Sequence, residues 1–331
     1  MRVAAFGLAL LGSLATAVAG AVDVAELPSE PARLSSLSLL LDLASAGHRL
    51  VAVGERGHIL LSDDAGRHWT QAQTPTQALL TGVCFADAEH GIVVGHDEII
   101  LTTGDGGHSW TRTHFAPQAQ QPLLDVWCGP DGRAIAVGAY GVYMVSTDHG
   151  ATWTEHKLEP TNAKPGKAAG ADDEIGGGYH LNAIAADASL RLYIAGEAGH
   201  LYRSDDRGAS WVSLPSPYEG SLFGVLPLPE GVVLAYGLRG NLFSSADAGA
   251  SWQRVATDTT ATLDGGALLG DGRVAIVGLS GVLLLSRDGG SSFSLLQQDD
   301  RKGLAAVRGV PGNTLVTVGE AGIKLITEPR S

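Results

Sequence analysis

Six aspartates of this 331-residue chain share one local pattern. Ser or Thr stands two residues before each, Gly two residues after and an aromatic residue five after, in the form [ST]-x-D-x-G-x-x-[WF]. They are Asp64, Asp105, Asp148, Asp206, Asp247 and Asp288, and the aromatic partners are Trp69, Trp110, Trp153, Trp211, Trp252 and Phe293. A single carboxylate so placed could ligate a metal or act as a general acid. Six copies describe a scaffold instead. The carboxylate can accept hydrogen bonds from backbone N–H groups of its own turn, and Gly supplies the φ > 0 conformation that a side chain resists. These six are expected to be structural.

The other residues that could do chemistry are poorly placed for it. Asp172-Asp173-Glu174 lie in a polar, Gly- and Ala-rich stretch, where no core would raise a pKa for general-acid work. The 11 His residues show no H-x-H or H-x-x-x-H spacing, and the two cysteines, Cys84 and Cys128, do not have zinc-site spacing. No Gly-rich phosphate loop opens a helix. The expectation is a protein that is not an enzyme and needs no cofactor or metal.

The elements around the aspartates repeat. Seven glycines that follow short apolar runs, Gly54, Gly95, Gly138, Gly196, Gly237, Gly278 and Gly319, each precede a Ser or Thr by eight residues. The words run from VAVGERGHILLS to VTVGEAGIKLIT, with steps of 41, 43, 58, 41, 41 and 41 residues. Each unit holds four short strands; in the second they are 80–85, 91–94, 98–103 and one begun by Trp110. Four strands per repeat of roughly 40–50 residues is a propeller blade. The chain is therefore expected to be an all-β, seven-bladed propeller over residues 22–331. The last unit stops at Thr327 and lacks an outer strand, so the N-terminal segment 22–27 is expected to supply that strand and close the ring. The one long step locates an insertion at 158–179, between blades three and four, which reads as a mobile loop.

Composition bounds the function. Lys+Arg total 22 and Asp+Glu 35, a net charge of -13, which disfavours nucleic-acid backbones as partners. Gly at 45 residues fits many turns rather than long helices. Residues 1–21 have one early Arg, a short apolar core and an A-x-A end, the pattern of a cleaved signal peptide. The mature protein is then exported to a periplasm, lumen or extracellular space, with no stable membrane insertion, and is expected to be a monomer. Export permits a disulfide. Cys84 and Cys128 fall on first strands of neighbouring blades with opposite parity, so they either bond or pack as two small residues.

Alternating strand direction sorts the loops onto two ends. The Asp turns lie at one; the G-x-x-G turns, the links between blades and the insertion lie at the other. Arg56, His96, Tyr140, Glu197, Arg239 and Glu320 are turn residues at the second end and the candidates for a partner-binding face.

The aspartate pattern resembles the Asp-box, or bacterial neuraminidase repeat. Sialidases carry such repeats, but they need several converging arginines, and Arg308 alone stands on a channel-lining strand here. Asp-box xyloglucan hydrolases use a cleft between two propellers. The combination of signal peptide, single ring and G-E-x-G words with Asp-boxes is similar to the photosystem II stability and assembly factor family, across the mature chain. That resemblance implies photosynthesis-linked or related exported scaffolds that bind and stabilise subunits of a membrane complex or transporter. It also implies an arginine-rich partner face, for which Arg56 and Arg239 are the available turn residues. The second reading is a glycan-binding or glycoside-acting protein, whose candidate aromatics are Tyr140, Tyr179 and Tyr218.

Overall fold

The computed structural model describes residues 24–162 and 178–327. Their strands form seven antiparallel sheets in a ring, six of four strands and one of three. Blade one comprises Leu40–Ala46, Arg49–Gly54, Ile59–Ser62 and Thr70–Ala72, in that spatial order. The inner strands of the next six blades are Leu80–Phe85, Leu123–Cys128, Leu181–Ala186, Leu222–Pro227, Leu263–Leu268 and Leu304–Val310.

The second strands are buried along their whole length in blades two to six, as in Gly91–Gly95 and Ala134–Gly138. This departs from the two-residue alternation expected of half-buried strands. Each second strand is covered on both faces by neighbouring blades, so it reads as a continuous apolar run. Ile92, Val94 and Ile100 of blade two pack in this way against Leu123, Val126, Ala136 and Met144 of blade three.

The repeated glycine before each turn has a steric cause. A Cβ on Gly54 would stand 2.2 Å from the Leu39 carbonyl oxygen, because the chain entering the inner strand crosses directly over it. Glu55 then donates its N–H to that carbonyl at 3.0 Å. The equivalent bond recurs in every blade, from His96 to Leu79 through to Glu320 to Gly303.

Each Asp-box is a hydrogen-bonded turn. In the third, Ser146 Oγ donates to Asp148 Oδ1 at 2.8 Å, Gly150 N–H donates to Ser146 Oγ at 2.9 Å, and Thr152 donates from N–H and Oγ1 at 2.9 and 2.6 Å. Trp153 closes the loop with a bond from Nε1 to the Gly150 carbonyl at 2.9 Å. Side-chain and then backbone bonds from the residue four positions on hold Asp148, Asp247 and Asp288 at about 2.

Ring closure differs from the expectation. Among the described residues the seventh blade has three strands, Leu304–Val310, Thr314–Gly319 and Gly322–Thr327, and the N-terminal segment does not join it as a strand. Val24–Glu26 forms a 3-10 turn instead. The residues after it run beside blade one, where Thr76 Oγ1 donates to Ala25, Gln77 to Pro28, Gln73 to Ser29 and Gln71 to Glu30. The chain that follows is held to blade one through its backbone, where the Ser29 N–H donates to the Thr74 carbonyl at 2.9 Å. The ring closes by packing: Leu40, Leu43, Leu50 and Leu60 of blade one meet Ala306, Val316 and Val318 of blade seven.

Candidate functional site

Two places in the ring gather side chains that packing alone does not require. The first is the end carrying the G-x-x-G turns. At each tip of blades one to six, one residue adopts a left-handed conformation: Arg56 (φ 56), Asp97 (59), Tyr140 (55), Ala198 (51), Arg239 (58) and Ser280 (57). Such a φ suits Gly, yet none of the six is Gly, and each side chain is carried outward on a strained peak. At five of the six tips the next residue is Gly, which takes up the crowding; in blade two it is Glu98, itself left-handed (φ 51). A Cβ on Gly57 would stand 2.0 Å from the Thr76 carbonyl oxygen, and on Gly199 1.9 Å from that of Tyr218.

The sequence-derived candidates separate at this end. Arg56, His96, Arg239 and Glu320 are exposed, and Tyr140 is 47% exposed. Arg56 stands on blade one and Arg239 on blade five, so the structure does not bring them together. Glu197 turns inward, where its carboxylate accepts the His180 backbone N–H at 3.3 Å. Glu55 does the same for Leu39 at 3.4 Å. These glutamates brace the entry of the inner strand.

Tyr140 instead belongs to an aromatic patch between blades three and four. Its ring meets His180 edge-on at 4.9 Å, and Tyr179 stacks on His200 at 4.2 Å. Both flanks of the insertion are anchored nearby. Thr161 N–H donates to the Trp211 carbonyl at 2.8 Å, Asn162 pairs with Ser213, and Gly178 N–H donates to the Tyr140 carbonyl at 3.1 Å. Residues 163–177 of the expected 158–179 loop, including the acidic run 172–174, lie outside the described residues, as does the expected signal segment 1–21. Apolar side chains also reach this end on blades six and seven. Leu279 is 45% exposed, and Leu37, whose backbone lies over the Gly322 turn, is 61% exposed. Leu37 escapes sequence reading because it precedes the first repeat unit.

The second place is the central channel, a cavity of about 460 Å³ walled by inner strands of all seven blades. Asp42 and Asp125 occupy equivalent positions on blades one and three, each two residues after the first Leu. Asp42 accepts N–H bonds from Leu43 at 2.7 Å and from Val83 of blade two at 2.8 Å. Asp125 accepts from Val126 at 2.7 Å and from Ile184 of blade four at 2.8 Å. Thr81 and Asn182 make the complementary link, donating to the carbonyls of Leu123 and Leu222 on the next blade at 2.7 and 2.9 Å.

Burial in the wall pushes the Asp42 carboxyl up from its ordinary value, against the pull of the Arg308 guanidinium. Burial, reinforced by the Asp42 charge, raises Asp125 to about 7. Asp264 is raised to about 7 by burial alone and has no hydrogen-bond partner among the described residues. The Tyr236 side chain, 3% exposed, passes between Gly224 and Gly266 to the cavity wall. Its hydroxyl also has no hydrogen-bond partner there, and burial raises it strongly. Sequence reading singled out Arg308 and missed these carboxyls, although the two-residue offset of Asp42 and Asp125 from the first Leu of their inner strands was available as a signal.

Cys84 and Cys128 are joined in a disulfide across the inner strands of blades two and three, with Cα atoms 5.7 Å apart. Among the described residues no cluster of His, Cys, Asp and Glu could hold a metal ion, and no helix is long and apolar enough to cross a membrane.

Comparison with known proteins agrees with this architecture. The family described as photosynthesis system II assembly factor YCF48 matches residues 61–172. The photosystem II assembly lipoprotein Ycf48 of Synechococcus sp. (strain CC9902) is 30% identical over 146 residues, covering 43% of this chain and 39% of that protein. The photosystem II assembly protein Ycf48 of Synechococcus sp. (strain JA-2-3B'a(2-13)) is 30% identical over 155 residues, covering 44% and 46%. The match thus spans less than half the length of these curated relatives. A solved structure of YCF48 bound to D1 peptide superposes with a TM-score of 0.69 at 18% identity, covering 89% of this chain and 95% of that one. A streptogramin B lyase has a TM-score of 0.71 at 13% identity, covering 89% and 96%, so the same architecture also carries an enzyme. By its repeats and its ring, the chain is a seven-bladed propeller, similar over part of its length to photosystem II assembly factors.

Proposed function

We propose that the protein is an exported, non-catalytic scaffold that binds a segment of a membrane-complex subunit on its G-x-x-G end and holds it during assembly. The observation that carries this reading is the row of tips. Left-handed positions that Gly would fill without strain instead display Arg56, Tyr140 and Arg239, around a rim that also offers Leu37 and Leu279. Charged, aromatic and aliphatic groups so interspersed suit a peptide partner better than a polysaccharide. The relatives support the direction, since one is named an assembly lipoprotein and another is seen with a D1 peptide. In this reading residues 1–21 are an export signal, and the protein works in a periplasm or lumen as a monomer. The Cys84–Cys128 disulfide supports an oxidising compartment.

The glycan reading is less favoured. Of its three aromatics, Tyr140 is exposed, while Tyr179 is stacked on His200 and Tyr218 packs toward Phe243 at 6.2 Å. The test is capture from the host envelope with tagged protein, comparing wild type with Arg56→Glu/Tyr140→Ala/Arg239→Glu. Membrane subunits retained by the wild type and lost by the triple variant, with unchanged melting, support the scaffold. Equal capture by both would place the partner elsewhere.

A further inference from the structure

The channel holds three carboxyls and one guanidinium, a formal charge of -2 when all are ionised. Two of the carboxyls are already used: Asp42 and Asp125 each accept two backbone N–H bonds and tie neighbouring blades together. Asp264 is different. It faces the cavity and, among the described residues, has no hydrogen bond; the same holds for the hydroxyl of Tyr236, a residue 3% exposed. Neither group is needed to hold the blades, and both open onto one cavity, where a ligand can reach them. Both are met at once by a ligand that donates hydrogen bonds and carries positive charge.

The ligand's shape follows from the spread of the groups. Asp264 stands on blade six, Asp42 on blade one and Asp125 on blade three, and among the described residues no three such ligands converge as a metal ion requires. A compact cation is therefore a poor fit. An elongated one with ammonium groups at its two ends can reach Asp264 and Tyr236 at one wall and the Asp42–Asp125 side at the other.

We infer that the central channel is a binding site for a linear aliphatic diammonium or polyammonium ion, held by the Asp264 carboxylate and the Tyr236 hydroxyl and balanced by Asp42 and Asp125. Arg308 acts against it. Its guanidinium faces Asp42 and Asp125 and disfavours a second positive charge. Binding is independent of the partner face, since the channel walls are inner strands and the tips are loops.

The test is titration calorimetry on the mature protein with 1,4-diaminobutane at pH 8, with butan-1-ol and calcium chloride as comparison probes. Saturable binding of the diamine and none of the alcohol is expected. Asp264→Asn and Tyr236→Phe, which preserve side-chain volume, should each weaken it roughly tenfold or more, since each removes a buried partner of a charged group. Arg308→Met should tighten it, an effect that a merely structural role would not produce. Because Asp264 and Asp125 are half protonated near neutrality, affinity should fall roughly tenfold per carboxyl from pH 8 to pH 6, with proton release on binding at pH 7. No saturation by about 10 mM diamine, undiminished binding in both the Asp264 and Tyr236 variants, or equal binding of calcium would overturn the assignment.

Discussion

The Asp125 carboxylate accepts a 2.8 Å hydrogen bond from the backbone N–H of Ile184, 59 residues further along the chain and on the next blade. Asp42 makes the same bond to Val83. A propeller has no strand ladder between blades, so these contacts and the apolar layers between them are what tie adjacent blades. They also place carboxyls where water is scarce.

That placement makes stability depend on pH. Asp125 and Asp264 have folded values near 7 against an ordinary 3.8, so the folded chain binds more protons than the unfolded one between about pH 4 and 7. Stability should fall as pH rises through that window and level off above it. Asp264→Asn should raise stability at pH 8 by on the order of 1–2 kcal/mol, discounted for water in the channel, and leave it unchanged at pH 4. Asp125→Asn should instead cost about 1 kcal/mol at pH 8, because an amide cannot accept both backbone bonds through its two ends. Thermal melts of the two variants at both pH values distinguish these signs.

The Asp-boxes act in the opposite sense at lower pH. Asp148, Asp247 and Asp288, held at about 2, contribute stability that is fully present above pH 4 and lost as pH falls toward 2. An acid titration followed by circular dichroism should therefore show unfolding concentrated between pH 4 and 2. Asp148→Asn should move that transition upward.

The disulfide should matter for the blades it joins. Its 44-residue separation corresponds, by chain entropy, to about 4 kcal/mol. Denaturant unfolding of Cys84→Ser/Cys128→Ser should show a loss of roughly 2–4 kcal/mol. Wild type treated with reductant should match the variant.

At the tips, two substitutions should act in opposite directions. Gly199→Ala places a methyl group against the Tyr218 carbonyl at positive φ and should cost at least about 2 kcal/mol. Arg56→Gly relieves a left-handed Arg and should stabilise by roughly 1 kcal/mol while weakening capture of the partner. Chemical denaturation and capture, measured on the same preparations, separate folding from binding.

Much of this architecture is legible in the repeat. Fixed spacing from Gly54 to Ser62 and its six copies reports local turn chemistry, and local chemistry is what one sequence displays best. The closure of the ring was not legible, because it depends on how Leu40 and Val316 meet across 276 residues rather than on any turn. The N-terminal segment was misread as a strand because its bonds run to distant residues of blade one, Thr74 and Thr76, rather than to a local partner. The channel carboxyls were overlooked for a related reason. A lone Asp on an apolar strand looks like a surface residue until seven such strands are brought to one axis.

The central claim concerns which end of the ring meets the partner. A photo-crosslinking amino acid at position 140 on the G-x-x-G end, and in a second protein at position 67 on the Asp-box end, can be activated in the host envelope and the adducts identified by mass spectrometry. Adducts with a membrane-complex subunit from position 140 and none from position 67 are predicted. Adducts from position 67 alone would contradict the account.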